Sequence, residues 1–210
     1  MYTIPIVVIV LFFMFSHGEN GPSSQNISAE NVVLQQVSFD DHEPQQVWVE
    51  EVSSRDAQAI FGYITATYRK IPTDEAEAIS SALIDSAQEL KVDPLFIAAL
   101  MSRESSFNKM AVSSTGAKGL GQIKDFNYPS LGITDPFDII QNTRGTMSYI
   151  KRMLGRWESE SAQASLALAS YFKGYGAVSR ANKQVDLKTK KYVEDILATY
   201  DKLKDYKASL

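Results

Sequence analysis

Glu104 is the residue in this chain whose type and setting best suit chemistry. It follows the apolar run Pro94-Leu95-Phe96-Ile97-Ala98-Ala99-Leu100-Met101 and precedes the turn-rich stretch from Ser113 to Gly121, with glycines at 116, 119 and 121. A carboxylate held against apolar surface is disfavoured in its charged form, so its pKa rises towards the range a general acid needs near neutral pH. Spacing alone leaves a commoner reading open, in which the acid is solvated or paired with Arg103 or Lys109. Other catalytic chemistries are excluded by composition. The chain has no Cys, which removes thiolate nucleophiles, cysteine-ligated zinc and lipidation of an N-terminal cysteine. Its two histidines, His17 and His42, both lie near the N-terminus, so neither a Ser-His-Asp triad nor a multi-histidine metal site can form in the globular part. Catalysis is left to carboxylates, hydroxyls, Lys, Tyr and backbone dipoles, and no metal or cofactor is expected.

The elements that must position this acid read as helices. Asp93 is an expected N-cap with Pro94 at the first helical position, and the near-continuous apolar sequence after it belongs in a core. Upstream, Thr73 is an expected N-cap for a helix whose Ile79, Ala82, Leu83, Ala87 and Leu90 share one face, and Arg55 to Lys70 forms another helix that Pro72 ends. Downstream, Asp138 to Trp157 carries Ile139, Ile140, Met147, Ile150, Met153 and Leu154 as its apolar set. Ser161 to Tyr171 is an Ala-rich helix broken at Gly174-Tyr175-Gly176, and Lys191 to Leu203 closes the series with Tyr192, Ile196, Leu197 and Tyr200 at helical spacing. About six helices and no alternating strand pattern define an all-α class.

Ahead of the helices, Met1 to Phe15 is almost wholly apolar, with a 12-residue stretch from Ile4 to Phe15 followed by Ser16-His17-Gly18. Residues 1–18 therefore read as a signal peptide, without the usual Lys or Arg before the apolar core. An uncleaved anchor is the competing reading, disfavoured because the run falls short of the ~20 residues that span a bilayer. Either reading exports the rest, to a periplasm or cell envelope. Residues 19–54 are polar and acidic, a linker or arm in which Trp48 could dock, and residues 55–210 form the helical domain. The net charge of −4 hides an asymmetry: residues 1–100 hold 4 Lys/Arg against 14 Asp/Glu, and residues 101–210 hold 17 against 11. A basic second half suits an anionic polymer, but the lack of a dense basic run or basic-aromatic cluster argues against nucleic acid.

Four blocks carry a resemblance. Glu104-Ser105-Ser106-Phe107-Asn108 is followed by Gly116-Ala117-Lys118-Gly119-Leu120-Gly121-Gln122-Ile123, then by Ala169-Ser170-Tyr171-Phe172-Lys173-Gly174-Tyr175-Gly176-Ala177-Val178, and last by Tyr192-Val193. In type and order these resemble the catalytic core of lytic transglycosylases of the soluble, goose-lysozyme-like type, over roughly residues 74–203. The resemblance implies a lysozyme-like helical domain that cleaves the β-1,4 bond between N-acetylmuramic acid and N-acetylglucosamine in peptidoglycan. Glu104 falls on the family's catalytic acid. Ser113 or Ser114 and Gln122 would line sugar subsites, Gly119 with the neighbouring glycines would let backbone amides approach the glycan, and Tyr171 and Tyr192 would hold acid or substrate by their hydroxyls. One carboxylate suffices if the muramyl 6-hydroxyl is the nucleophile, giving a 1,6-anhydro product, whereas conventional glycosidases use two. No acid intervenes between Glu104 and Asp125.

The chain departs from the pattern at Gly121, where the family has Met, at Phe172, where it has Asn, and at Lys173-Gly174-Tyr175, where it has Ala-Gly-Pro. These departures point to an enzyme specialised for opening the wall locally, with a secretion or pilus apparatus as an expected partner beside the glycan strands. Two alternatives stand. One is hydrolysis of the goose-type lysozyme kind, with Asp125, Asp135 or Asp138 positioning a water. The other is a glycan-binding or assembly protein with weakened catalysis.

Overall fold

The computed structural model describes residues 36–39, 47–49 and 51–210. The expected signal peptide, and with it the choice between cleaved leader and anchor, lies outside the described residues. The described residues belong to one compact unit. Its elements are β1 (Gln36–Val37), α1 (Ser54–Thr67), α2 (Thr73–Leu90), α3 (Pro94–Ser105), a 3-10 turn (Asp125–Asn127), α4 (Tyr128–Leu131), α5 (Ile139–Arg156), α6 (Gln163–Lys173), α7 (Tyr175–Arg180), β2 (Val185–Asp186) and α8 (Leu187–Ala208). All six expected helices are present, joined by the short α4 and α7. Among the described residues no helix is long and apolar enough to cross a membrane.

The centre is α3. Asp93 caps it, accepting from the Leu95 amide at 2.8 Å, and Pro94 supplies a preset φ at the first position. Every residue from Pro94 to Ser102 is buried. Leu95, Phe96, Ile97, Leu100 and Met101 are shielded on all sides, each stabilising the fold by about 1.5–3 kcal/mol through lost apolar surface. Such a helix needs partners all round: α8 packs along it, α1 and α2 flank it, and α5 lies against α2 and α6. The helix stops because Ser106 and Phe107 take left-handed conformations at φ 52° and 59°. This turn buries the Phe107 ring edge-on against Tyr63 and Tyr68.

Several local expectations change. Thr73 is the first helical residue rather than the cap, because Pro72 takes the boundary position with its extended ψ of 146°. Ile140 does not join the apolar set of α5. It stands 67% exposed, since the core-facing residues of that helix are Met147, Ile150, Met153 and Leu154. The last helix starts four residues before Lys191, at Leu187, because the Asp186 side chain accepts from the Thr189 amide at 2.7 Å and caps it there. The described parts of the arm are docked rather than loose. Gln36 and Val37 pair antiparallel with Asp186 and Val185, Val47 is fully buried, and Trp48 bridges to Val92.

Candidate active site

The C-terminal end of α3 delivers Glu104 to a cleft of about 430 Å³, lined among others by Ser113, Gln122, Lys124, Tyr149, Tyr171 and Phe172. Because α3 is buried on all sides up to Ser102, Glu104 reaches the cleft with apolar structure behind it, and that burial pushes its pKa up. The Tyr192 hydroxyl, arriving from α8, donates to Glu104 Oε1 and pulls in the opposite direction, as does the charge of Arg103. Desolvation is the larger effect. The acid is therefore protonated over a wider pH range than a solvated Glu, with a hydrogen-bond donor in place to receive the carboxylate when its proton leaves. The simple pairings considered for it do not form: Lys109 is bound to Glu75 at 2.8 Å, and Arg103 lies 3.7 Å from Asp195.

The glycine-rich turn forms the opposite lip. Asn142, buried on α5, organises it. Its Oδ1 accepts from the Gly121 amide at 2.8 Å, and its Nδ2 donates to Pro136 O at 2.8 Å and Lys118 O at 3.2 Å. Gly119 has φ +78°, and a Cβ there would meet Pro136 O at 2.2 Å and Asn142 Nδ2 at 2.3 Å, so two independent constraints demand glycine. Gln122 is left-handed at φ 53°, a cost offset where its side-chain nitrogen donates to Ala111 O and Gly119 O at 3.1 and 3.0 Å. With that nitrogen committed, the amide oxygen of Gln122 is the group left for the cleft.

Of the residues expected at the site, Glu104, Ser113, Gln122 and Tyr171 come together on the cleft wall, and Tyr192 stands behind Glu104 as its hydrogen-bond donor. Two do not join the lining. Ser114 points to open solvent, and its neighbours Ser113 and Thr115 occupy the wall because alternate positions of this turn face opposite ways. Gly119 is buried beneath the lip, and its amide donates to Ala111 O at 2.9 Å, so it shapes the loop instead of offering an amide to the cleft. Tyr171 bonds to the protein rather than to the acid, donating to Gly121 O at 2.5 Å while its ring packs 5.2 Å from that of Tyr149. The missing Met at Gly121 leaves no hole, because Thr146 of α5 fills the space. A Cβ at position 121 would lie 1.9 Å from Thr146 Oγ1.

Asn142, Thr146 and Tyr149 escaped the sequence reading. Their signal is present at spacings of four and three on α5, a polar stripe beside the apolar set of the same helix. Asp125, Asp135 and Asp138 do not line the cleft, and each accepts through one oxygen from a local amide, those of Phe126, Phe137 and Gln141 at 2.8, 2.9 and 2.8 Å. Among the described residues no group of His, Cys, Asp and Glu could hold a metal ion.

A helical fold with a single acid at the end of its buried helix, a glycine-built lip and a tyrosine donor behind the acid defines a lysozyme-like cleft of the one-carboxylate kind. The Transglycosylase SLT domain profile matches residues 81–193, just over half the chain, and the chain belongs to that family. A membrane-bound lytic murein transglycosylase F from Desulfosudis oleivorans is 38% identical over 90 residues, covering 41% of this chain and 20% of the relative. The Vibrio cholerae protein of the same name is 38% identical over 90 residues, covering 41% and 17%. The chain thus spans about a fifth of the length of these curated relatives. In fold it is similar to the 70 kDa soluble lytic transglycosylase of Escherichia coli, with TM-score 0.53 and 18% identity over 74% of this chain and 31% of that one. It is likewise similar to lytic transglycosylase Slt of Pseudomonas aeruginosa, with TM-score 0.51 and 20% identity over 67% and 26%.

Proposed function

We propose that the protein is a lytic transglycosylase that cleaves the β-1,4 bond between N-acetylmuramic acid and N-acetylglucosamine in peptidoglycan and leaves a 1,6-anhydromuramyl end. The observation that carries this reading is that Glu104 is the one carboxylate among the described residues lining the cleft. Protonated Glu104 gives its proton to the glycosidic oxygen as the bond from that oxygen to C1 breaks. The resulting carboxylate, held by the Tyr192 hydroxyl, takes the proton of the muramyl 6-hydroxyl as its oxygen bonds to C1. The proton count closes on Glu104, and no water is consumed. Conventional glycosidases need a second carboxylate to act as nucleophile or to activate water. Asp125, Asp135 and Asp138, which a hydrolytic route would need to position a water, do not line the cleft, which favours the anhydro product.

Export to the periplasm or cell envelope fits an apolar N-terminus and a wall polymer as substrate. The departures at Gly121 and Phe172 support a role in local wall opening for an envelope-spanning secretion or pilus apparatus. Mass spectrometry of digested peptidoglycan tests the chemistry: anhydromuramyl ends are expected from wild type and none from Glu104→Gln. Reducing ends without anhydro ends would replace this reading with hydrolysis. Sacculus binding and biological function unaltered in Glu104→Gln would replace it with a binding protein.

A further inference from the structure

Phe172 stands where the family pattern has Asn, and the chemistry above gives it nothing to do. Its ring lines the cleft and is 37% exposed, while it stacks on the Tyr192 ring at 4.5 Å between centroids and 19° between planes. Tyr192 is 3% exposed. Arg103 Cζ lies 5.5 Å from the centroid of the Tyr192 ring, and Lys188 Nζ lies 5.7 Å from that of Phe172. A phenol hydroxyl sits at the far end of a lever, so a small swing of the ring displaces the oxygen by far more than it displaces the ring's root. Near-parallel stacking restrains that swing, which an Asn amide cannot do, because a planar aromatic neighbour is what holds an aromatic ring in offset register.

We propose that Phe172 is a positioning residue that fixes the plane of Tyr192, aims its hydroxyl at Glu104, and thereby sets how readily Glu104 gives up and recovers its proton. This inference rests on Glu104 being the acid of the proposed reaction. The other titratable and charged groups around the pair are Arg103 on α3, Tyr149 on α5, Tyr171 and Lys173 on α6, Lys188, Lys191 and Asp195 on α8, and Lys124 on the cleft wall. Phe172 forms no hydrogen bond or ion pair with any of them. Its one contact with a charged group is Lys188 Nζ over its ring, so replacement by an apolar residue alters the aim of Tyr192 and otherwise disturbs only Lys188, an effect that the Tyr192→Phe background reads separately.

The test follows the Glu104 carboxyl by carbon NMR across pH, with the resonance assigned by its loss in Glu104→Gln. Phe172→Leu keeps apolar bulk and removes the stack. Its expected effect is an upward move of the Glu104 midpoint, a weakening of acidity by about two- to tenfold if the stacking energy passes into the hydrogen bond. Tyr192→Phe moves it further in the same direction, and adding Phe172→Leu to Tyr192→Phe adds nothing, because the route through the hydroxyl is already gone. Phe172→Tyr, which retains the ring, restores the wild-type midpoint. The alkaline limb of kcat/KM on peptidoglycan shifts upward in Phe172→Leu as the midpoint does. A Phe172→Leu midpoint equal to wild type, or a shift of the same size in the Tyr192→Phe background, overturns the proposal. If wild type yields no anhydro product, the reading of the reaction fails while the NMR titration still decides what Phe172 does.

Discussion

Replacing Gly121 by Ala tests how α5 and the glycine-rich lip are fitted together. The added Cβ would lie 1.9 Å from Thr146 Oγ1, 2.8 Å from its Cγ2 and 2.9 Å from its Cβ. All three atoms belong to a β-branched side chain whose hydroxyl donates to Asn142 O at 2.8 Å, so Thr146 cannot simply rotate away. Either α5 or the lip must move, and overpacking of this kind costs about 1–3 kcal/mol, with the upper end expected against a buried helix. Removing the obstacle with Thr146→Gly costs about 0.3 kcal/mol in helix propensity, because Thr is already a poor helix former, besides its lost packing. Joined in one chain, the two substitutions relieve each other, so the double variant is expected to lose about 1–2 kcal/mol less than the singles together. Urea unfolding followed by circular dichroism measures this: at an m-value of about 2 kcal/mol per molar, a 2 kcal/mol loss moves the midpoint by about 1 M. The reasoning fails if Gly121→Ala moves the midpoint negligibly, or if the two losses simply add. Activity should fall in Gly121→Ala beyond what instability explains, since Tyr171 donates to the carbonyl of the same residue.

Other outcomes follow from the same contacts. Burial raises the pKa of Glu104 above its unfolded value, so folding is penalised as pH rises through the folded pKa. Glu104→Gln should therefore be more stable than wild type at pH 8, by about 1.4 kcal/mol per unit of raised pKa, and lose the advantage near pH 3, as thermal melts at both values would record. Asn142→Ala strands the buried Gly121 amide and should cost about 2–3 kcal/mol, with a raised KM for glycan as the lip loosens. Asp93→Ala removes both the cap of α3 and the acceptor of the Tyr200 hydroxyl at 2.6 Å; the expected loss is about 1–3 kcal/mol in chemical denaturation, with Asp93→Asn recovering the part due to the cap.

The sequence carried the helices well wherever a strong local signal agreed with the packing. Asp93-Pro94 marked the start of α3, and its unbroken apolar run could only be a core helix. The boundaries differ where the capping position falls to a residue other than the nearest polar or apolar signal, as at Pro72 and Asp186. Residues on the cleft were partly legible. Glu104, Ser113, Gln122 and Tyr171 sit in motif blocks, but Asn142, Thr146 and Tyr149 act across about 20 residues or more of chain, on Gly121 and Tyr171. No local pattern reports such long-range fits. Ser114 and Gly119 show the opposite error, in which membership of a motif says nothing about which way a turn residue faces.

α8 touches α3 at both ends. Tyr200 holds Asp93 at its start and Tyr192 holds Glu104 at its finish, so the two helices run antiparallel and are measured against each other. The seven residues between the tyrosines thus act as a ruler. One residue inserted among them would rotate Tyr192 relative to Tyr200 by about 100° and carry one hydroxyl off its carboxylate. The spacing from 192 to 200 is accordingly a length constraint as well as a pattern of types. In a designed relative, loops can be lengthened freely before this stretch is touched, and tags belong beyond Leu203, the last buried residue of α8.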